Sequence, residues 1–242
     1  MHTSKRFLLL VVILTVAGLS AGCRPATLVS TQDEIEVGRR ASAQVEAEYT
    51  VVTDPAVNRL VNDIGRTLAA QAARQDVEYT FKVLDDPSVN AFALPGGWIY
   101  LFSGLIDTIG TDRDMLAAVI GHEIGHIADR HHAEMMGRAT IYGIAIGVLT
   151  SGNMQQWANV FANLHLLRWS RRHELVADRL AIEYTFKSGP YQPEGVIRLL
   201  ELLQERGGES RFLPFLRTHP LTEDRIERAK FWVVEYRAGR AP

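Results

Sequence analysis

The chain has 242 residues, 47 % of them hydrophobic, which is enough to bury the core of one domain of ordinary size. It carries 26 basic and 28 acidic residues, and it contains neither a basic stripe nor a stacking motif typical of nucleic-acid-binding proteins. The single cysteine excludes an intrachain disulfide, so the fold has to be stabilised by its core.

The first 22 residues have the pattern of a bacterial secretion signal. Lys5 and Arg6 precede an apolar run from Phe7 to Ala17, which is shorter than the roughly twenty residues of a membrane span. Residues 1–22 contain two basic residues and no acidic one, so their removal leaves 24 basic and 28 acidic residues and a formal charge of −4.

The residues before Cys23 resemble a lipobox, at which signal peptidase II cleaves and lipid is attached. Leu19 stands four residues before the cysteine, and Ser20 takes the position of the usual large aliphatic residue. We expect a lipid anchor at Cys23 and a short tether over residues 23–30; ordinary cleavage that leaves a soluble periplasmic protein is the alternative. Arg24 resembles the residue that follows the cysteine in lipoproteins sent to the outer membrane.

Residues 31–242 are predicted to form one α+β, mainly helical domain. The spacing of apolar residues and the helix start and stop signals predict helices over residues 31–47, 55–74 and 194–206. Val77 to Leu84 alternates as a strand does, and Asn90–Leu94 with Trp98–Phe102 indicates a hairpin around Pro95-Gly96-Gly97.

The next helix is predicted from Asp112 to about Arg138. Thr111 and Asp114 resemble a capping box, proline is absent, and apolar residues recur at helical spacing. Gly121 and Gly125 each cost about 1 kcal/mol of helix propensity relative to alanine. Their presence predicts a closely packed neighbour on that side.

This helix contains the motif H-E-x-x-H at residues 122–126. Four helical residues rise about 6 Å and rotate slightly more than one turn, so His122 and His126 lie on one face and can bind one Zn²⁺ at about 2 Å. Glu123 lies beside them, where it can accept a proton from an attacking water molecule. A structural zinc, or no metal at all, is the alternative.

The apolar segment at residues 141–149 follows the motif. Nine residues are too few to cross a bilayer, which needs about twenty. The segment is therefore predicted to be a buried continuation of the helix or a mobile cover over the cleft.

A catalytic zinc keeps three protein ligands, so the third has to come from another segment. Helical periodicity from about Asn159 to Lys187 contains Glu174, the leading candidate, and Asp178 one turn later. Asp178 can accept a hydrogen bond from a ligand histidine. A surface carboxylate is the alternative for Glu174.

At these residues the chain resembles the gluzincin zinc peptidases that include the HtpX-like membrane proteases and the CAAX prenyl endopeptidases. H-E-x-x-H is paired with E-x-x-x-D at residues 174–178, the latter preceded by Trp169-Ser170-Arg171. Residues 90–105 are similar to the segment that precedes the metal helix in this family, and residues 219–226 to its H-P-x-x-x-x-R-I element. These segments extend across most of residues 31–230 in the expected order.

The resemblance implies a zincin-like fold, one zinc ion per chain and a set of residue roles. The ligands would be His122, His126 and Glu174, with Glu123 as the general base. Asp178 and Arg225 would support the ligands, although a purely structural ion pair is the alternative. His219 would stabilise an oxyanion, occupy the fourth coordination position at rest, or serve only as a turn residue before proline. The remaining histidines of this region are interpreted as packed or solvated: His131, His132, His165 and His173.

The predicted function is a zinc endopeptidase of the bacterial envelope that acts on misfolded or damaged proteins. An extended substrate would pair with an edge strand formed by Asn90, Ala91, Phe92 and Ala93. An internal hairpin without substrate contact is the alternative for these residues. A non-catalytic, chaperone-like lipoprotein that retains the fold is the alternative function.

Overall fold

The computed structural model describes residues 28–141, 154–163 and 168–240, which form ten α-helices and one three-stranded sheet. The helices are α1 (Thr31–Glu48), α2 (Pro55–Ala69), α3 (Ser103–Ile109), α4 (Arg113–Ala128), α5 (His131–Ile141), α6 (Met154–Ala162), α7 (Arg171–Ser188), α8 (Glu194–Arg206), α9 (Leu213–Thr218) and α10 (Glu223–Arg237). The predicted α+β, mainly helical fold is confirmed. The predicted signal segment, Cys23, residues 142–149 of the apolar segment and His165 lie outside the described residues.

The sheet has the strand order β1-β3-β2, with β1 at Thr80–Leu84, β2 at Ala91–Ala93 and β3 at Trp98–Phe102. Strands β2 and β3 form the predicted antiparallel hairpin around a short turn, in which Gly96 has a φ of 78°. Strand β1 pairs with β3 in parallel, so β2 is left at one edge.

The sheet is buried on both faces because alternate residues of its strands enter two different clusters of the core. Ile99 and Leu101 of β3 join the cluster that includes residues of α2, α4, α7 and α8. Tyr100 and Phe102 face the other way and pack with residues of α1 and α6. Because side chains alternate between the two faces of a strand, the sheet lies between the two clusters and contributes residues to both.

Helix α4 lies at the centre of the fold and packs most closely on α7. A Cβ atom on Gly125 would lie 3.1 Å from the Cα of Ala177, and one on Gly121 would lie 3.2 Å from the Cα of Ala181. The glycines therefore allow the two backbones to approach as the sequence predicted. This contact places the H-E-x-x-H face of α4 against the E-x-x-x-D face of α7.

The predicted helix from Asp112 to Arg138 is wrong in its second half and in its cap. Asp112, rather than Thr111, is the N-cap, and its side chain accepts a hydrogen bond from the backbone N–H of Met115 at 2.9 Å. The helix stops at Ala128 because Arg130 adopts a left-handed conformation with a φ of 56°, and the chain restarts as α5.

The Arg130 turn is held by a buried acid from the start of the domain. Glu34, 1 % exposed, accepts hydrogen bonds from Arg130 at 2.9 Å and from Arg74 at 2.7 Å. Arg130 also donates to the carbonyl of Val29. The two contacts of Arg130 span 96 and 101 residues of chain, so local periodicity carried no sign of the break.

Three other predicted boundaries are corrected. The helix predicted from Asn159 is two helices, because α6 ends at Ala162 and α7 begins only after Ser170, whose side chain accepts the N–H of His173. Helix α2 ends at Ala69 rather than residue 74, and β1 begins at Thr80. Helices α1 and α8 match their predicted ranges to within one residue. In the described part of the chain, every helix is too short or too polar to span a bilayer.

Gly38 of α1 provides a test of the packing behind the hairpin. A Cβ atom there would lie 1.8 Å from the carbonyl oxygen of Pro95, so Gly38→Ala should lower the free energy of unfolding by about 1–3 kcal/mol through overpacking. Gly208→Ala is the matched control because nothing lies within 4 Å of its Cβ position, and it should change stability by less than about 1 kcal/mol. Urea-induced unfolding measures both; an unchanged midpoint in Gly38→Ala would contradict the close packing of Gly38 on Pro95.

Candidate metal centre

The polar residues predicted from the two motifs meet in the interior of the domain. His122, Glu123 and His126 project from α4, and Glu174 and Asp178 from α7. Two further side chains come from the end of α9 and the start of α10: His219 and Arg225. All seven are at most 3 % exposed. A polar cluster this deeply buried requires compensating charges and hydrogen bonds.

The donor atoms lie at the separations that a tetrahedral zinc site requires. Two ligand atoms at 2.0–2.1 Å from one tetrahedral centre are about 3.3 Å apart. His122 Nε2 lies 3.0 Å from His126 Nε2 and 3.3 Å from His219 Nδ1. The carboxylate of Glu174 lies 3.6, 3.5 and 3.2 Å from the same three nitrogens. The four donors are all within 4.8 Å of one another, so these residues fit one zinc ion.

The charges of the cluster also fit a divalent cation. Glu123, Glu174 and Asp178, when ionised, carry three negative charges, and Arg225 supplies one positive charge. A divalent ion would supply the other two. Burial alone would raise the pKa of Glu174, but Arg225, followed by His219 and His122, outweighs it and holds this pKa well below its ordinary value.

Arg225 connects both acids of α7 to the start of α10. Its guanidinium lies 2.6 Å from Glu174 Oε2 and donates to both oxygens of Asp178 at 2.8 Å. A third bond goes to the carbonyl of Pro220 at 3.1 Å. The arginine therefore fixes the carboxylates in place.

His122 is oriented by Asp178. The Nδ1–H of His122 donates to Asp178 Oδ1 at 2.9 Å, which leaves Nε2 free for a metal. Burial would lower the pKa of His122, but Glu174 and Asp178 outweigh it and raise this pKa. Without a metal the site therefore favours a proton on His122, and metal binding would release that proton.

His126 has the opposite electrostatic environment. Burial holds its pKa well below the ordinary value, so its imidazole is neutral and suited to bind a metal. The ring stacks on Trp169, with centroids 4.4 Å apart and an interplanar angle of 25°. The stacking limits rotation of the ring.

Glu123 is the acid of the cluster whose two carboxylate oxygens both lack a hydrogen bond in the described part of the chain. Among the described residues, neither carboxylate oxygen has a hydrogen-bond partner, and His219 Nε2 lies 3.6 Å away. Burial raises the pKa of Glu123. A buried carboxylate with free oxygens and a raised pKa is suited to accept a proton at neutral pH.

The predicted edge strand is β2, which lies at one edge of the sheet and packs beside α4. Asn90, Ala91, Phe92 and Ala93 are all at most 3 % exposed. Leu94 donates to Trp98 and Phe102 donates to Asn90, so the intervening peptide groups of Ala91 and Ala93 face away from β3. The carbonyl of Ala93 accepts a hydrogen bond from His132 at 3.0 Å.

Two buried histidines of the site were interpreted from the sequence only as packed or solvated. His131 and His132 follow the Arg130 turn, and both are fully buried. His131 contacts His126, and His132 contacts β2. On a continuous helix, residue 131 would point about 140° away from residue 126, so only a predicted break after residue 128 could have indicated these contacts.

The buried H-E-x-x-H helix, the carboxylate of a second helix and the open glutamate define the site of a zincin-type metallopeptidase. Residues 55–233 match the sequence model of the family described as "Peptidase family M48". The chain therefore belongs to this family of metallopeptidases. The family confirms the gluzincin resemblance drawn from the motifs.

Individual relatives are similar over most of this chain. It is 27 % identical to the beta-barrel assembly-enhancing protease of Escherichia coli K12 over 88 % of its length and 45 % of that protein. It is 30 % identical to the mitochondrial metalloendopeptidase OMA1 of Arabidopsis thaliana, over 80 % of this chain and 41 % of the relative. The OMA1 protein of Saccharomyces cerevisiae is 31 % identical over 78 % of this chain and 52 % of its own length. The chain thus spans about half the length of these relatives.

The ion pairs between α7 and α10 allow a matched stability test. Arg225→Met should lower the free energy of unfolding of the metal-free protein by about 3–5 kcal/mol, because it leaves Glu174 and Asp178 buried without their counter-charge. Arg171→Met is the control: Arg171 also joins α7 to α10, through Asp224, but its side chain is 66 % exposed against 2 % for Arg225. The control should lose less than about 1 kcal/mol.

Urea-induced unfolding of the parent and both variants, after removal of metal, measures the two losses. Equal losses in Arg225→Met and Arg171→Met would contradict the importance of burial for the inner pair.

Proposed function

We propose that the protein is a zinc-dependent endopeptidase that binds one zinc ion through His122, His126 and Glu174. The observation that carries this proposal is the Glu123 carboxylate, which lies in the same buried cluster with both oxygens unpartnered among the described residues. A structural metal site has no need of such a base, whereas hydrolysis of a peptide bond does.

Each residue of the cluster has a role in this reaction. The zinc ion would polarise the scissile carbonyl and lower the pKa of the attacking water. Glu123 accepts the proton of that water and can return it to the leaving amine. Asp178 keeps His122 in position through a hydrogen bond, and Arg225 keeps Glu174 in position through an ion pair.

We also propose that substrate is bound as an extended strand along Asn90, Ala91, Phe92 and Ala93. The outward peptide group of Ala91 supports this, because an added strand uses main-chain hydrogen bonds and makes little demand on sequence. The carbonyl of Ala93 would first have to release His132. A cavity of about 220 Å³ lies where β2 begins, lined in part by Asn90, Phe102 and Thr218. Since β2 is buried, a peptide reaches it only when a neighbouring segment moves aside.

The proposed location is the periplasmic side of the outer membrane. Residues 1–22 would be the signal peptide, Cys23 the lipidated N-terminus, residues 23–30 a tether and residues 31–242 the peptidase domain. The name of the beta-barrel assembly-enhancing relatives supports misfolded or misassembled envelope proteins as substrates. The mass of the mature N-terminal peptide distinguishes a lipid anchor from a soluble periplasmic form.

The alternative function is a non-catalytic, chaperone-like lipoprotein that retains the fold. Such a protein would bind unfolded polypeptide without cleaving it. The zinc-loaded parent decides between the two, because only an endopeptidase digests casein and is stopped by a chelator.

Glu123→Gln tests the proposed base. The amide keeps the shape of the side chain but cannot accept a proton, so casein cleavage should fall at least about a hundredfold while zinc content stays at about one ion per chain. Glu227→Gln, at a side chain 78 % exposed on α10, should cleave at the parental rate. Casein digestion and metal analysis are measured on the same samples. Unchanged cleavage by zinc-loaded Glu123→Gln would assign the chemistry to another group.

His219 is proposed to be the fourth donor of the resting site. Its Nδ1 lies 3.3 Å from His122 Nε2 and 3.2 Å from Glu174 Oε1, within the spacing of the other donors. Its ring stacks on Phe215 with centroids 4.7 Å apart. A fourth protein donor would exclude the attacking water, so the residue has to move before the reaction.

His219→Ala should therefore raise the basal rate of casein cleavage, because it reopens the fourth position. The alternative role, stabilisation of an oxyanion, predicts the opposite sign: kcat would fall by roughly 10²–10³ with little change in zinc content. Steady-state kinetics with metal analysis separates the two. Parental activity and zinc affinity in this variant would exclude both roles and leave a structural turn.

A further inference from the structure

The turn after α4 brings His131 back onto a proposed metal ligand. His131 Nδ1 lies 2.9 Å from His126 Nδ1, and the two ring centroids are 4.9 Å apart. On its other side, His131 Nε2 lies 3.1 Å from Asp129 Oδ2. The three side chains thus form one line of hydrogen bonds from the interior to a partly exposed carboxylate.

The position of each proton in this line follows from the role of His126. To bind a metal through Nε2, which faces His122 Nε2 at 3.0 Å, His126 has to carry its proton on Nδ1. That N–H donates to His131 Nδ1, which must then be the acceptor. His131 consequently carries its own proton on Nε2 and donates it to Asp129. One arrangement of protons thus satisfies both hydrogen bonds of this line, from His126 to His131 and from His131 to Asp129.

The surroundings of His131 hold its ring in this orientation. The residue is fully buried, and its ring stacks on His173 with centroids 4.2 Å apart and an interplanar angle of 24°. Burial lowers the pKa of His173 to about 4, so the stacked partner is neutral at neutral pH. The left-handed Arg130, bound to Glu34, sets the direction in which the chain leaves α4.

We propose that His131, held by Asp129, is a positioning residue that fixes the tautomer and the orientation of His126. It does for His126 what Asp178 does for His122. The inference rests on the proposed function, since it takes His126 to be a metal ligand. Partners of this kind typically contribute 10–100-fold to metal affinity.

Zinc affinity of the full-length protein, measured by competition with a chromophoric chelator, tests this role without reference to activity. His131→Phe keeps an aromatic ring for stacking but removes the acceptor, and it should weaken zinc binding about 10–100-fold. His131→Asn restores an acceptor, because Asn Oδ1 and His Nδ1 are both bonded to Cγ, and it should recover most of the affinity.

His132→Phe is the matched control. His132 is the next residue and is equally buried, and it also contacts Trp169, but its Nε2 donates to Ala93 rather than to a proposed ligand. Its substitution should leave zinc affinity close to the parental value. Thermal unfolding of the metal-free variants shows whether each is folded. If His131→Phe is not folded, Asp129→Ala replaces it in the test. Asp129 is at the partly exposed end of the line of hydrogen bonds, and its substitution should also weaken zinc binding.

The proposal would be overturned if folded His131→Phe bound zinc as tightly as the unsubstituted protein. It would also be overturned if His131→Phe and His132→Phe lost the same amount of zinc affinity. If His131→Phe does not fold, a zinc affinity of Asp129→Ala equal to that of the unsubstituted protein would overturn the proposal. A parent protein that binds no zinc would overturn the proposed function together with this inference, whereas a zinc-binding parent with an insensitive His131 would overturn this inference alone.

Discussion

The ion pairs of Arg225 with Glu174 and Asp178 are the interactions on which the buried site depends. Two carboxylates in the interior cost several kcal/mol each unless they are paired and hydrogen-bonded. Arg225 lies within 2.6–2.8 Å of both, so they remain ionised although both are buried. Their charge in turn favours cations, which is the property that a metal site needs.

The metal helix has a different partner on each side, and each partner orients one of the two motif histidines. On the α7 side, Asp178 holds His122, and the glycines of α4 make this approach close enough. On the side of the Arg130 turn, His131 holds His126 while His132 holds the strand β2. A single turn thus connects the orientation of a proposed ligand with the position of the proposed substrate strand.

The features that the sequence predicted well are those with local causes. The hairpin at Pro95–Gly97 and the helix α8 each contain their own start and stop signals. The two motifs gave the ligand candidates because i, i+4 spacing fixes a face of a helix wherever the helix is placed.

The features that were missed depend on distant contacts. The break at Arg130 requires Glu34, and the parallel pairing of β1 with β3 bypasses the strand between them in the chain. The contact of His131 with His126 could not be read from spacing, since it exists only because the helix ends. The late start of α7, after Ser170, was hidden because apolar residues continue at helical spacing through the preceding segment of the sequence.

The close packing of α4 on α7 has a consequence for ion selectivity. His126, His219 and Glu174 each have a donor atom 3.0–3.6 Å from His122 Nε2, and Gly121 and Gly125 allow the backbones of α4 and α7 to pack closely. A calcium ion requires six to eight oxygen ligands at about 2.3–2.6 Å, which this small, nitrogen-rich cage cannot supply without spreading the helices. The geometry of the proposed site thus favours an ion smaller than calcium.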